Sequence, residues 1–183
     1  MTSQKMMVWF GWVALNLSWV TAASGIPIPV NNPSFETPVL AGENAMQAPP
    51  LPGWEVDGTG DYYIRIWNPP SDRFAYWEPG GITPQGAQGT NVLFLWPKAE
   101  LGDYVAARQE LPSTFQAGCY TLTVAIGATS GYVAPENNEI LIMQGETVLG
   151  STNVTRYQVP EGYFIDKSVA VVIPSDSPYL GLP

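Results

Sequence analysis

Histidine is absent from this 183-residue chain, and cysteine occurs once, at Cys119. Those two facts remove Ser-His-Asp and Cys-His catalysis, imidazole-dependent zinc sites, Cys-rich metal sites and any internal disulfide. Acid–base chemistry is left to carboxylates, tyrosines and a few Lys and Arg. What the chain has in quantity is aromatic surface. Trp54, Tyr63, Trp67, Tyr76, Trp77, Phe94 and Trp96 all fall in one stretch of sequence. The π-face of an aromatic side chain attracts a cation, and the same face stacks on a flat or sugar ring. Such a set, where it shares a non-core face, can form a platform for a small ligand. Each of these aromatics also has an ordinary packing role open to it.

Carboxylates offer a second kind of chemistry. Glu36 closes the run Asn31-Asn32-Pro33-Ser34-Phe35-Glu36, and on its own reads as a solvated carboxylate at a strand end, with Asn31 and Asn32 as neighbouring side-chain oxygens. No EF-hand spacing occurs. Asp57 and Asp61 flank a glycine-containing turn, a common place for aspartate. Asp103, Glu136, Glu139 and Asp166 read as solvated charges. In total 16 acidic residues face 7 basic ones, for a net charge of -9 and a pI near 4.2. A nucleic-acid binder needs the opposite balance to neutralise phosphates.

The elements that must carry these residues are strands. The chain is 45% hydrophobic and 13% charged, with 18 Gly and 18 Pro, which suits one folded domain with many turns. Apolar residues recur with a period of two, and no segment sustains the helical period. Asp61–Trp67 places Tyr62, Ile64 and Ile66 on one face and Tyr63, Arg65 and Trp67 on the other. Asn91–Trp96 is apolar on both faces, as in a strand covered on both sides. Tyr104–Leu111 is a weaker strand. Tyr120–Ile126 turns Tyr120, Leu122, Val124 and Ile126 to a core and leaves Thr121, Thr123 and Ala125 as a small-residue face, either the floor of a pocket or a solvated surface. Ile140–Met143, Thr147–Gly150 and Tyr163–Ile173 complete the series, with Gly145-Glu146 as a hairpin turn. The Pro-rich stretches Gln47–Gly53 and Asn68–Pro84 are loops of the length that compact domains keep for function. The expected fold is all-β: an antiparallel sandwich of the jelly-roll kind.

Residues 1–25 stand apart. Lys5 is their one charge, Met6–Val20 is apolar but interrupted by Asn16 and Ser18, and small residues Thr21-Ala22-Ala23-Ser24 follow. This is the pattern of a cleaved signal peptide, with a helix apart from the sandwich and export to the periplasm or exterior. A retained anchor is the alternative. Residues 26–183 then form a single domain.

Four motifs carry a resemblance. They are Ile28-Pro29-Val30-Asn31-Asn32-Pro33-Ser34-Phe35-Glu36, Leu51-Pro52-Gly53-Trp54, Gln88-Gly89-Thr90-Asn91-Val92-Leu93-Phe94-Leu95 and Gln116-Ala117-Gly118-Cys119-Tyr120-Thr121-Leu122-Thr123-Val124. Their order resembles secreted cyanobacterial and bacterial β-sandwich proteins related to carbohydrate-binding modules. Within these the chain is most similar to the Stig cyclases, which build hapalindole, fischerindole, ambiguine and welwitindolinone alkaloids. The first two motifs are common to the wider group; the aromatic stretch Tyr62–Trp96 points to the cyclases. The resemblance implies a calcium-dependent enzyme acting on an indole-isonitrile terpenoid, through a Cope rearrangement, a Prins-type ring closure and capture of the cation by the indole. It implies Ca2+ bound near Glu36 and Asn32, and a homo- or hetero-dimer with related subunits. Tyr63 or Tyr76 would meet the polar end of the substrate, with Trp54, Trp67, Trp77 and Phe94 around it. The family's general acid is an Asp in a Phe-Asp-Asn-Val-like segment on the last strand. This sequence holds no such segment, so the domain is expected to be C-terminally incomplete, lacking its last strands, or to be a non-catalytic partner. A secreted carbohydrate-binding module is the other alternative.

Overall fold

The protein is described by a computed structural model over residues 5–10, 13–21, 27–70, 72–74, 89–97, 104–130 and 137–182, the first two stretches as backbone only. Its strands are β1 (Lys5–Phe10), β2 (Val13–Thr21), β3 (Pro27–Ile28), β4 (Met46–Gln47), β5 (Glu55–Thr59), β6 (Tyr62–Trp67), β7 (Val92–Pro97), β8 (Tyr104–Glu110), β9 (Gly118–Gly127), β10 (Asn137–Gln144), β11 (Thr147–Thr155) and β12 (Phe164–Ile173). No α-helix occurs among the described residues; one short 3-10 turn spans Arg156–Gln158.

Two sheets form, in the orders β11-β10-β1-β8-β5 and β12-β9-β2-β7-β6-β4, and every strand pair is antiparallel. The period-two pattern explains why the sheets stack. Ile64, Ile66, Leu93, Leu95, Leu122, Val124 and Ile126 of the second sheet share one buried cluster with Val105, Ala107, Ile140, Ile142 and Val154 of the first. Each strand thus turns alternate residues to the common core. The β10–β11 connection is the two-residue turn Gly145-Glu146, with Gln144 opposite Thr147 and Gly145 at φ 57°. Glycine takes that left-handed conformation without a Cβ penalty.

Both faces of the β7 region are covered. Leu93 and Leu95 point to the main core, while Val92 and Phe94 join a second cluster on the outer face with Trp67, Phe74, Ala125 and Phe164. Tyr63 and Trp96 pack against that cluster. This outer cluster positions the candidate site.

One expectation is corrected here. The apolar N-terminal segment is not a separate helix. β1 lies between β10 and β8, and β2 lies between β9 and β7, so the segment takes an inner position in each sheet. Short apolar runs do not reveal their period, and a strand slot with unpaired backbone groups on both sides decides the outcome.

Candidate functional site

A cleft of about 670 Å³ opens on the outer face of the second sheet. It is lined by Glu43, Asn44, Met46, Tyr63, Trp67, Pro70, Asp72, Arg73, Phe94, Trp96 and Thr129. Its size falls within the roughly 300–1,000 Å³ usual for small-molecule sites. Trp67, Phe94 and Thr129 are buried and form its depth, whereas Glu43, Asn44, Met46 and Asp72 are exposed at its mouth.

Strand alternation delivers the aromatics. Tyr63 and Trp67 are on the face of β6 opposite to Ile64 and Ile66, and Phe94 and Trp96 occupy the same face of β7. The register sets Tyr63 opposite Trp96 and Trp67 opposite Val92. Trp67 and Phe94 meet edge to face at 5.5 Å between ring centroids, and Tyr63 and Trp96 meet tilted at 6.4 Å. Behind them Phe74 packs on Trp67 at 6.4 Å and on Phe164 at 4.6 Å. The Arg65 guanidinium lies 4.0 Å from the centre of the Tyr63 ring, so one face of that ring already holds a cation.

The turn before β4 makes the opposite wall. Asn44, at φ 61°, donates its backbone N–H to the Asn68 carbonyl at 2.7 Å. Its Oδ1 accepts the Trp67 indole N–H at 3.2 Å. Arg73 donates to the Ser130 carbonyl at 3.0 Å, which ties the segment around Pro70 to the end of β9.

The sequence candidates separate in space. Tyr63, Trp67 and Phe94 lie along the cleft. Trp54 does not: it is in the main core, 5.3 Å from Phe35, with its indole N–H donated to the Asn32 carbonyl at 3.2 Å. Tyr76 and Trp77 lie outside the described residues. Asn44, Arg73 and Thr129 were missed. The loop argument for Asn68–Pro84 covers Pro70, Asp72 and Arg73, but nothing local marks Asn44 or Thr129, whose places depend on which strands are neighbours.

Glu36 and Asn32 belong to a second place. The Glu36 carboxylate accepts the Thr90 N–H at 2.6 Å, the Asn91 N–H at 2.7 Å and the Thr90 hydroxyl at 3.2 Å. A Cβ on residue 89 would overlap that carboxylate, and Gly89 sits at φ 84°, so the position demands glycine twice over. Asn32 is spent on its own turn: its Oδ1 accepts the Thr37 N–H at 3.0 Å, and its amide donates to the Thr37 and Pro52 carbonyls at 2.8 and 3.1 Å. Among the described residues no group of three or more His, Cys, Asp or Glu is placed to hold a metal. Two oxygens nevertheless suit a hard cation. Glu36 Oε2 accepts one weak hydrogen bond only. Among the described residues Asn91 Oδ1 is buried without a hydrogen-bond partner, while its amide nitrogen donates to the Phe35 carbonyl at 3.0 Å. Asn32 Oδ1 is engaged in its own turn, whereas Asn91 Oδ1 is not, and a buried orphan oxygen calls for a partner.

Comparison with known proteins places this geometry in a family. No curated protein matches the chain. Among solved structures, an apo cyclase from Fischerella sp. is similar at TM-score 0.71 and 23% identity, covering 89% of this chain and 83% of its own. A Stig cyclase from Fischerella sp. TAU, in complex with (3Z)-3-(1-methyl-2-pyrrolidinylidene)-3H-indole, is similar at TM-score 0.66 and 22% identity, covering 89% and 84%. A cyclase from Fischerella sp. TAU in complex with 4-(1H-indol-3-yl)butan-2-one follows at 0.61 and 22%, covering 85% and 83%. Residues 26–183 match the HpiC1-like family, described as HpiC1 cyclase, and the chain therefore belongs to the Stig cyclase family.

Proposed function

We propose that the protein is an alkaloid cyclase that folds an indole-isonitrile terpenoid in the outer-face cleft. The single observation that carries this reading is a cleft whose buried depth is built from Trp67 and Phe94, with Trp96 and Tyr63 beside them. The proposed course is a Cope rearrangement, a Prins-type closure and capture of the resulting cation by the indole. Each step moves bonds within one molecule, so substrate and product share a mass. Trp96, with the edges of Trp67 and Phe94 behind it, supplies aromatic surface to the cation. Tyr63, whose ring already carries the Arg65 guanidinium, offers a hydroxyl to the polar end of the substrate. The sugar-binding alternative needs an open ring platform, and Trp67 and Phe94 are 5% and 8% exposed and packed edge to face.

Calcium is proposed as a structural ion held by Glu36 and Asn91, with a dimeric assembly and an exported location. The family match begins at residue 26, directly after the proposed leader, which supports cleavage there. Incubating the protein and Ca2+ with the indole-isonitrile substrate, then analysing products by mass spectrometry and NMR, tests the reading. The expected result is a new polycyclic isomer of unchanged mass. The missing acid segment predicts little turnover by this chain alone and turnover once a related cyclase subunit supplies the acid; recovery of unaltered substrate from both incubations would refute the cyclase assignment.

A further inference from the structure

The turn before β4 is tied to the end of β6 by contacts that do not need the Asn44 side chain. Asn44 donates its backbone N–H to the Asn68 carbonyl at 2.7 Å, and Asn68 donates its own to the Ala45 carbonyl at 3.0 Å. The Asn68 amide donates to the Gly42 carbonyl at 3.0 Å. The backbone at Asn44 is left-handed, φ 61°, a conformation that glycine takes most freely. Glycine would therefore serve the turn. What asparagine adds is one acceptor: its Oδ1 takes the Trp67 indole N–H at 3.2 Å, across 23 residues of chain. An indole nitrogen only donates, so this bond also fixes which end of the Asn44 amide faces the ring.

Trp67 is 5% exposed and packs on two rings, Phe94 edge to face at 5.5 Å and Phe74 tilted at 6.4 Å. Ring packing alone tolerates more than one orientation of an indole, because χ2 of tryptophan is broad and dispersion has little direction. The N–H is the directional part of the side chain, and a buried N–H without an acceptor is costly. Asn44 supplies that acceptor, and both residues line the cleft. We infer that Asn44 is a positioning residue: by holding the indole N–H it selects one orientation of Trp67, and with it the aromatic surface that the cleft offers to a ligand. That an indole-bearing ligand meets this surface rests on the cyclase reading above; the hold on Trp67 does not.

The test compares wild type with Asn44→Gly, Asn44→Asp, Trp67→Phe and the double variant Asn44→Gly/Trp67→Phe. Asn44→Gly suits the left-handed turn and deletes the acceptor; Asn44→Asp retains the acceptor. The Trp67 indole N–H signal, identified in two-dimensional NMR spectra by its loss in Trp67→Phe, should shift and exchange faster with solvent in Asn44→Gly. It should stay near its wild-type state in Asn44→Asp. The probe 4-(1H-indol-3-yl)butan-2-one, followed by calorimetry, should bind Asn44→Gly about two- to tenfold more weakly than wild type and bind Asn44→Asp as wild type does. In the Trp67→Phe background, Asn44→Gly should change the affinity no further. An unmoved Trp67 signal, an unchanged probe affinity, or equal losses in Asn44→Gly and Asn44→Asp would overturn the assignment. So would the same loss in both Trp67 backgrounds, because Asn44 would then act on the ligand directly. Should Trp67→Phe not fold, rescue by Asn44→Asp decides the same question. Failure of wild type to bind the probe would instead strike the indole-ligand reading, and the role of Asn44 toward a ligand with it. Wild-type binding that Asn44→Gly leaves intact would strike the role of Asn44 alone.

Discussion

Trp67 is held at both ends: its ring stands edge-on to Phe94, 5.5 Å between centroids and 68° between planes, and its indole N–H is donated to Asn44 Oδ1 at 3.2 Å. The ring cannot turn without breaking one contact or the other. In the proposed reaction a ring fixed in this way would need no reorganisation as charge develops. The neighbouring Trp96 is half-buried and lies nearer the cleft opening.

Those two tryptophans are expected to differ under substitution. Trp67→Ala removes a buried aromatic and should cost about 3–5 kcal/mol of stability, which obscures any effect on catalysis. Trp96→Ala leaves the main core intact. It should remove about 1–2 kcal/mol of cation stabilisation, slow kcat about five- to thirtyfold and alter the product ratio. Urea melts and product NMR on the same preparations separate the two effects. If Trp96→Ala shifts only the melt, Trp96 is packing and not part of the reaction.

Glu36 joins the Asn31–Glu36 turn to the start of β7 through the Thr90 and Asn91 N–H groups. Glu36→Ala should cost about 1.5–3 kcal/mol, the range for hydrogen bonds to a charged group, and Gly89→Ala should be comparably disruptive. The calcium proposal makes a separate demand. Chelation should lower the melting temperature of wild type, and that chelator effect should vanish in Glu36→Gln. A wild-type melt indifferent to chelator would remove the ion.

The N-terminal segment poses a choice that sequencing the mature exported protein settles. The proposed leader predicts a mature chain that starts after Ser24 or Gly25. Its removal takes β1 from between β10 and β8, and β2 from between β9 and β7. The chain from Ile26 alone, with no strand to replace them, should melt lower than residues 1–183 and self-associate, because unpaired strand edges template pairing. Light scattering and thermal melts read this directly. A monomer of unchanged stability would show that the two segments contribute nothing to the sheets.

Tyr104, at the start of β8, has its phenol held above its ordinary range by burial first and by the neighbouring Asp57 carboxylate second, with Arg108 opposing. The sign follows from linkage. A raised folded-state value means the folded protein keeps its proton while the unfolded chain loses it. The associated stability is complete below the unfolded value, near about pH 10, and is lost as pH rises through the higher folded value. Tyr104→Phe should flatten the alkaline limb of the stability curve above about pH 10 and leave neutral pH alone. An identical alkaline limb in the variant would assign that limb to other tyrosines.

The sequence by itself determined the strand faces, because alternation is a local property of the chain. Tyr62, Ile64 and Ile66 against Tyr63, Arg65 and Trp67, and Tyr120, Leu122, Val124 and Ile126 against Thr121, Thr123 and Ala125, are legible from period two alone. The all-β class, the Gly145-Glu146 hairpin and the two-sided covering of β7 follow from the same kind of local pattern. Only the tertiary structure decided which aromatics share a cleft. Trp54 and Trp67 look alike in sequence, yet Trp54 is drawn into the main core by Phe35 and the Asn32 carbonyl, while Trp67 meets Phe94 because β6 pairs with β7. Asn44, Arg73 and Thr129 join the site from three separate segments, and each is placed by contacts across at least twenty residues of chain. The fate of Met6–Val20 is the sharpest case. Its apolar run fits a helix or a strand equally, and the choice belongs to the neighbouring strands, whose unpaired N–H and C=O groups act from far away in sequence.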